Sequence, residues 1–124
     1  MTRILVIDDD AEVLQLLKRI LNKAGHEVVV AANGKIGVEL YRQEKPDLII
    51  TDMIMPEMEG AETIIMIRSE CLDAKIIAIS GGSETIGSST CLSVGKVAGA
   101  ARTLCKPLTQ QEVLNAVREV LDSN

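Results

Sequence analysis

The stretch ILVIDDDAEVLQLLKRILNKAG, residues 4–25, holds one complete structural unit. Ile4, Leu5, Val6 and Ile7 make a short unbroken apolar run, the pattern of a strand covered on both faces rather than one that alternates between core and solvent. Three aspartates end the run. Asp10 stands where a helix N-cap belongs, and Val13, Leu16, Leu17, Ile20, Leu21 and Ala24 recur at helical spacing up to Gly25. The unit therefore reads as a buried strand followed by an amphipathic helix.

The same alternation extends to the end of the chain. It predicts strands at 27–31, 47–51, 75–80 and 101–105, with helices at 34–43 and 61–70. A further helix is expected at 88–98, inside a segment with four glycines beyond Gly81 and several serines and threonines; its helix propensity is poor, and it is expected to be the most mobile element. Thr109 opens the last helix with a T-x-x-E capping box to Glu112, and Val113, Val117, Val120 and Leu121 form its apolar face. Five strand-helix units in series give an α/β domain with a parallel sheet covered on both faces. Right-handed crossovers bring the carboxyl ends of its strands to one edge, where such sheets bind ligands.

Bulk composition limits the function. A chain of 124 residues fits one domain, taken as 1–124. Hydrophobic residues at 47% and charged residues at 25% describe a globular protein rather than a disordered one. With no Trp, no Phe and only Tyr41, the core must be aliphatic, and partners must be met by aliphatic and charged contacts. A net charge of −5 without a basic run argues against nucleic-acid binding. The first apolar run is too short for a signal peptide or a membrane span, so the expectation is a cytoplasmic protein with no membrane partner. Cys71, Cys91 and Cys105 are odd in number and far apart, with only His26 as an imidazole partner; they read as free thiols.

The polar residues at the strand ends carry the chemistry. Strand one ends at Asp8 and Asp9, strand three at Asp52, strand four at Ser80 and strand five at Lys106, and the topology gathers all five. Adjacent aspartates at the exit of a buried strand repel unless a cation compensates them, and Mg²⁺ suits one or two carboxylates plus phosphate oxygens. Asp52 at such an ion can act as a nucleophile toward phosphorus and form an acyl phosphate. Phosphoryl transfer needs positioning and charge neutralisation, which Mg²⁺, the Lys106 ammonium and a hydrogen bond from the Ser80 hydroxyl supply. Taken singly, each residue has a plainer reading: Asp8, Asp9 or Asp10 as a helix cap, Asp52 as a turn former, Ser80 as a loop residue, Lys106 as a solvated surface charge. The Lys106–Pro107 bond, on base rates alone, is trans.

VIDDD at 6–10, PDLIITDMIMPEMEG at 46–60, IAIS at 77–80 and CKPL at 105–108 resemble, in order and spacing, the motifs of the receiver domains of two-component response regulators. The resemblance covers essentially the whole chain. It implies a flavodoxin-like, doubly wound (βα)5 fold with strand order 2-1-3-4-5, an order for which the chemotaxis member of this family is a standard illustration. It implies Mg²⁺ bound by Asp8, Asp52 and the carbonyl of Ile54, with Asp9 acting largely through water, and a cis Lys106–Pro107 bond. It also implies phosphorylation of Asp52 by a sensor histidine kinase or phosphotransfer protein, with Ser80 and Lys106 responding to the phosphoryl group. No turnover of an external substrate is implied, only self-phosphorylation and slow dephosphorylation.

Two departures stand out. The family carries a switch aromatic on strand five where this chain has Thr103, which leaves the phosphoacceptor chemistry intact but shifts the expected response to segment 81–100, through a helix shift or an order-disorder change. Ile54 and Gly82 stand where some relatives place polar side chains that assist hydrolysis, so a long-lived phosphoform is expected.

Competing readings are a phosphate-independent interaction module and an enzyme. Asp8-x-Asp10 is similar to the motif of haloacid-dehalogenase-type phosphatases, with Asp8 as nucleophile and Asp10 as acid-base, but the Gly-Thr expected after Asp10 is absent and Asp52 would have no role. With the last helix expected to end near Asp122, no output domain is expected within this sequence: it is either a stand-alone receiver, which Met1 favours, or a segment cut from a longer regulator. The kinase, the target and the oligomeric state are not legible in the sequence.

Overall fold

A computed structural model describes residues 2–52, 60–71, 74–80, 101–105 and 108–122. Strands and helices alternate through them: β1 (Arg3–Ile7), α1 (Ala11–Lys23), β2 (Glu27–Ala31), α2 (Gly34–Glu44), β3 (Leu48–Asp52), α3 (Gly60–Glu70), β4 (Ile76–Ser80), β5 (Arg102–Cys105) and α4 (Gln110–Asp122). The helix expected at 88–98, together with Ile54, Gly82, Cys91, Lys106 and Pro107, lies outside the described residues.

The five strands form one sheet in the order β2-β1-β3-β4-β5. All four pairings are parallel, with Ile7 opposite both Ala31 and Thr51, Asp52 opposite Ile79, and Ala78 opposite Thr103. This is the flavodoxin-like order expected from the sequence. Successive strand residues point to opposite faces. Ile4, Val6, Leu48, Ile50, Ile77, Ile79 and Leu104 accordingly pack against Leu17 and Leu21 of α1 and Val113 and Val117 of α4. Leu5, Ile7, Ile49, Ile76 and Ala78 turn the other way, onto Val38 of α2 and Ile64 and Ile67 of α3. A fully buried Val, Leu or Ile contributes about 1.5–3 kcal/mol, so two such layers stabilise the domain without a core aromatic. The edge strand β2 is the least covered of the described strands' apolar runs, with Val30 37% exposed.

Local signals explain the helix ends. Asp10, in extended conformation, caps α1 as its spacing predicts, its Oδ1 accepting the Glu12 amide at 2.9 Å. Asn33 does the same for α2 through the Ile36 amide at 2.8 Å. The capping box at α4 is half formed: Thr109 Oγ1 accepts a hydrogen bond from the Glu112 amide at 3.2 Å, while the Glu112 carboxylate accepts one from the Thr109 hydroxyl at 2.9 Å. Within α2, Gly37 lies directly on β1. A Cβ there would stand 2.4 Å from Ile7 Cδ1 and 2.7 Å from its Cγ1, so only glycine permits this approach with Ile7 as it lies.

Candidate functional site

The sheet order sets the site. β1 and β3 are adjacent central strands, and both run their carboxyl ends to the same edge. Asp52 is the last residue of β3, so the strand itself places its side chain at this edge. Asp8 directly follows β1 and is held twice: its amide donates to Ala31 O at 3.1 Å, and its Oδ1 accepts the Asp10 amide at 2.9 Å. This Asx-type contact turns the chain from β1 into the cap of α1 and fixes the carboxylate at the sheet edge.

Carboxylate oxygens of Asp8, Asp9 and Asp52 lie within 4.8 Å of one another. Asp8 is fully buried, Asp52 is 4% exposed and Asp9 is open to solvent. Two carboxylate charges at such a distance repel by roughly 3–4 kcal/mol at an effective dielectric near 20. Backbone hydrogen bonds offset part of that, and a divalent cation reverses it. The donor set selects the ion: three hard oxygens, with no thiolate or imidazole among them, suit an oxygen-seeking cation and leave room for water and phosphate.

Of the residues predicted from the sequence, the structure thus brings together Asp8, Asp9 and Asp52. Ser80 closes β4, the strand paired with β3, and its backbone stands in register with Cys105, the residue before Lys106; the Ser80 side chain lies outside the described part. Asp10 is occupied as the α1 cap, which removes the free acid-base that a dehalogenase-type site would need.

Other features went unread in the sequence. Thr103 is buried at 6% exposure, and its hydroxyl has no hydrogen-bond partner among the described residues. A strand threonine carries no sequence mark of that state. At the opposite, amino edge of the sheet, a cavity of about 540 Å³ is lined by Tyr41, Asp47, Ile49, Cys71, Lys75 and Leu121. Burial, and then a hydrogen bond with the free thiol Cys71, push the Tyr41 phenol up to about 12. Lys75 Nζ there donates to Leu121 O at 2.8 Å, so the ammonium is engaged. None of the groups lining this cavity faces the acidic edge. No helix among the described residues is long and apolar enough to cross a membrane.

Comparison with known proteins agrees with this geometry. The family described as response regulator receiver domain matches residues 4–118. The chemotaxis protein CheY of Thermotoga maritima is 37% identical over 119 residues, spanning 95% of this chain and 96% of its own. CheY of Bacillus subtilis is 36% identical over 121 residues, spanning 97% of this chain and 98% of its own. Among solved structures, the response regulator protein TrrA of Thermotoga maritima in complex with Mg²⁺-BeF superposes with a TM-score of 0.83 at 31% identity, covering 97% of this chain and 99% of that one.

Proposed function

The chain belongs to the response-regulator receiver domain family, and from that premise we propose that it is a phosphorylation switch in which Asp52 accepts a phosphoryl group from a histidine kinase or phosphotransfer protein. The observation that carries this reading is the closing of Asp8, Asp9 and Asp52 to within 4.8 Å at the carboxyl edge of β1 and β3.

Asp8 and Asp52 would hold Mg²⁺ directly, with the Ile54 carbonyl, and Asp9 through water. Bound there, the ion would supply charge neutralisation for the transferring phosphoryl oxygens. An Asp52 carboxylate oxygen forms the new bond to phosphorus while the bond from phosphorus to the donor's nitrogen breaks, giving an acyl phosphate on Asp52 and a free imidazole on the donor. Its place as the terminal residue of a fully buried strand removes conformational freedom from the nucleophile before the donor arrives. Lys106 contributes a second positive charge and Ser80 a hydroxyl donor to the phosphoryl oxygens. The domain acts on itself and turns over no external substrate, and its response is a change in partner binding. A sheet edge with three carboxylates and a net charge of −5 leave the phosphodiester backbone of nucleic acid disfavoured as a ligand.

The test is intact mass after incubation with acetyl phosphate and Mg²⁺, beside Asp52→Ala. One hydroxylamine-sensitive phosphoryl group on the wild type alone is expected. No gain on folded wild type would favour a phosphate-independent interaction module, and labelling that persists in Asp52→Ala would move the nucleophile to Asp8.

A further inference from the structure

Three buried threonines can be compared among the described residues. The Thr51 hydroxyl donates to Asp52 O at 3.1 Å, and Thr63 is likewise engaged. Thr103 differs: it is 6% exposed and its Oγ1 has no partner among the described residues. Leaving a buried hydroxyl unsatisfied is unfavourable, and valine offers nearly the same shape without the polar atom. Among the described residues, the oxygen makes no hydrogen bond that valine would lose.

The position of Thr103 ties it to the phosphoacceptor. Thr51, Ala78 and Thr103 lie in one row across β3, β4 and β5, because Ala78 is in register with Thr51 on one side and with Thr103 on the other. Two strand spacings, about 10 Å, separate Thr103 from the residue before Asp52. Ala78, the residue between them in that row, carries the smallest side chain of β4. An interior this tightly packed answers a local change by moving between discrete arrangements rather than by continuous deformation.

We infer that the Thr103 hydroxyl is a hydrogen-bonding group reserved for the phosphorylated state, left unsatisfied in the unphosphorylated protein and satisfied when Asp52 carries its phosphoryl group. The inference rests on the reading of Asp52 as phosphoacceptor. It makes a polar contact do the work of the aromatic residue that this chain lacks on β5. A hydrogen bond present in only one of two states shifts their equilibrium by its own net value, and by linkage it strengthens binding of whatever selects that state by the same factor.

The experiment uses the full chain, with Mg²⁺ and beryllium fluoride as the phosphoryl mimic, and compares wild type, Thr103→Val, Thr103→Ser and Asp52→Asn. Affinity for the mimic is read by calorimetry and stability by thermal unfolding followed by circular dichroism. Thr103→Val is expected to raise the unfolding midpoint of the mimic-free protein and to weaken mimic binding roughly fivefold. Thr103→Ser, which keeps the oxygen, is expected to bind the mimic like wild type. Equal mimic affinity in Thr103→Val and wild type would overturn the inference, as would a mimic-free Thr103→Val less stable than wild type, since that would mean the hydroxyl is already bonded. If wild type binds the mimic no better than Asp52→Asn does, the phosphoacceptor reading itself has failed and takes this inference with it.

Discussion

Replacing Gly37 by alanine sets two known effects against each other. Gly37 is inside α2, where alanine is favoured over glycine by about 1 kcal/mol on helix propensity. Against that, the new methyl would stand 2.4 Å from Ile7 Cδ1, 2.7 Å from Cγ1 and 3.3 Å from Cγ2, whereas carbon atoms attract best at about 3.5–4.0 Å. Ile7 is fully buried in the layer that holds Val38 and Ile64, so a shift of its side chain presses on other core groups. Overpacking of this kind costs about 1–3 kcal/mol, so Gly37→Ala should be destabilised by up to about 2 kcal/mol after the propensity gain. Ile7→Val removes the nearest atom and on its own should lose about 0.5–1.5 kcal/mol. In the double variant the 2.4 Å contact is gone while Cγ1 still stands at 2.7 Å, so the added methyl should cost less than it does beside the full isoleucine and stability should recover in part. The pair should therefore show a favourable coupling of about 1–2 kcal/mol. Urea unfolding of the four proteins, followed by circular dichroism, measures it. Additive changes, or a Gly37→Ala protein more stable than wild type, would refute the argument from contact.

Three further expectations follow from single groups. Asp10→Ala removes the side-chain oxygen that accepts the Glu12 amide and should lower stability by about 1 kcal/mol in urea unfolding while phosphorylation of Asp52 persists; loss of phosphorylation would restore the dehalogenase-type reading. The Tyr41 phenol ionises near pH 10 when unfolded and at about 12 in the fold, so its contribution is complete below pH 10 and is lost as pH rises toward 12; Tyr41→Phe should flatten that stretch of the stability-pH curve, and an unchanged curve would count against the burial of the phenol. Ile54→Asn, which adds a side chain able to hold water, should shorten the life of the acyl phosphate in Mg²⁺, measured by decay of the intact-mass adduct. Wild-type phosphate that is lost as fast as the variant's would remove the role given to Ile54.

The parts legible in the sequence were those written as periodicity. The unbroken runs at Ile4–Ile7 and 48–51 could only be doubly covered strands, and α1 announced both its face and its cap at Asp10. The parallel order places Asp8, Asp9 and Asp52 together across a gap of more than forty positions in the chain, which explains why residues unremarkable alone became a site. Boundaries shifted by a residue where a strand end doubles as a functional position, as at Asp52, whose polarity read as the start of a loop. Asn33 caps α2 by the same rule as Asp10, but the Asn-Gly pair it forms with Gly34 is equally a turn signal. Gly37 and Thr103 were out of reach, because their meaning depends on which atoms lie opposite, Ile7 in one case and no polar group in the other.

The position of Tyr41 also fixes what light can report about this molecule. It is the sole aromatic side chain, and it lines the cavity at the amino edge, the full length of the sheet away from the carboxylates. Near-ultraviolet absorption and intrinsic fluorescence therefore view that far edge and are blind to events at Asp52. A single tryptophan introduced beside β5 would be read without interference from any native tryptophan, and excitation at the red edge of its band would leave Tyr41 silent.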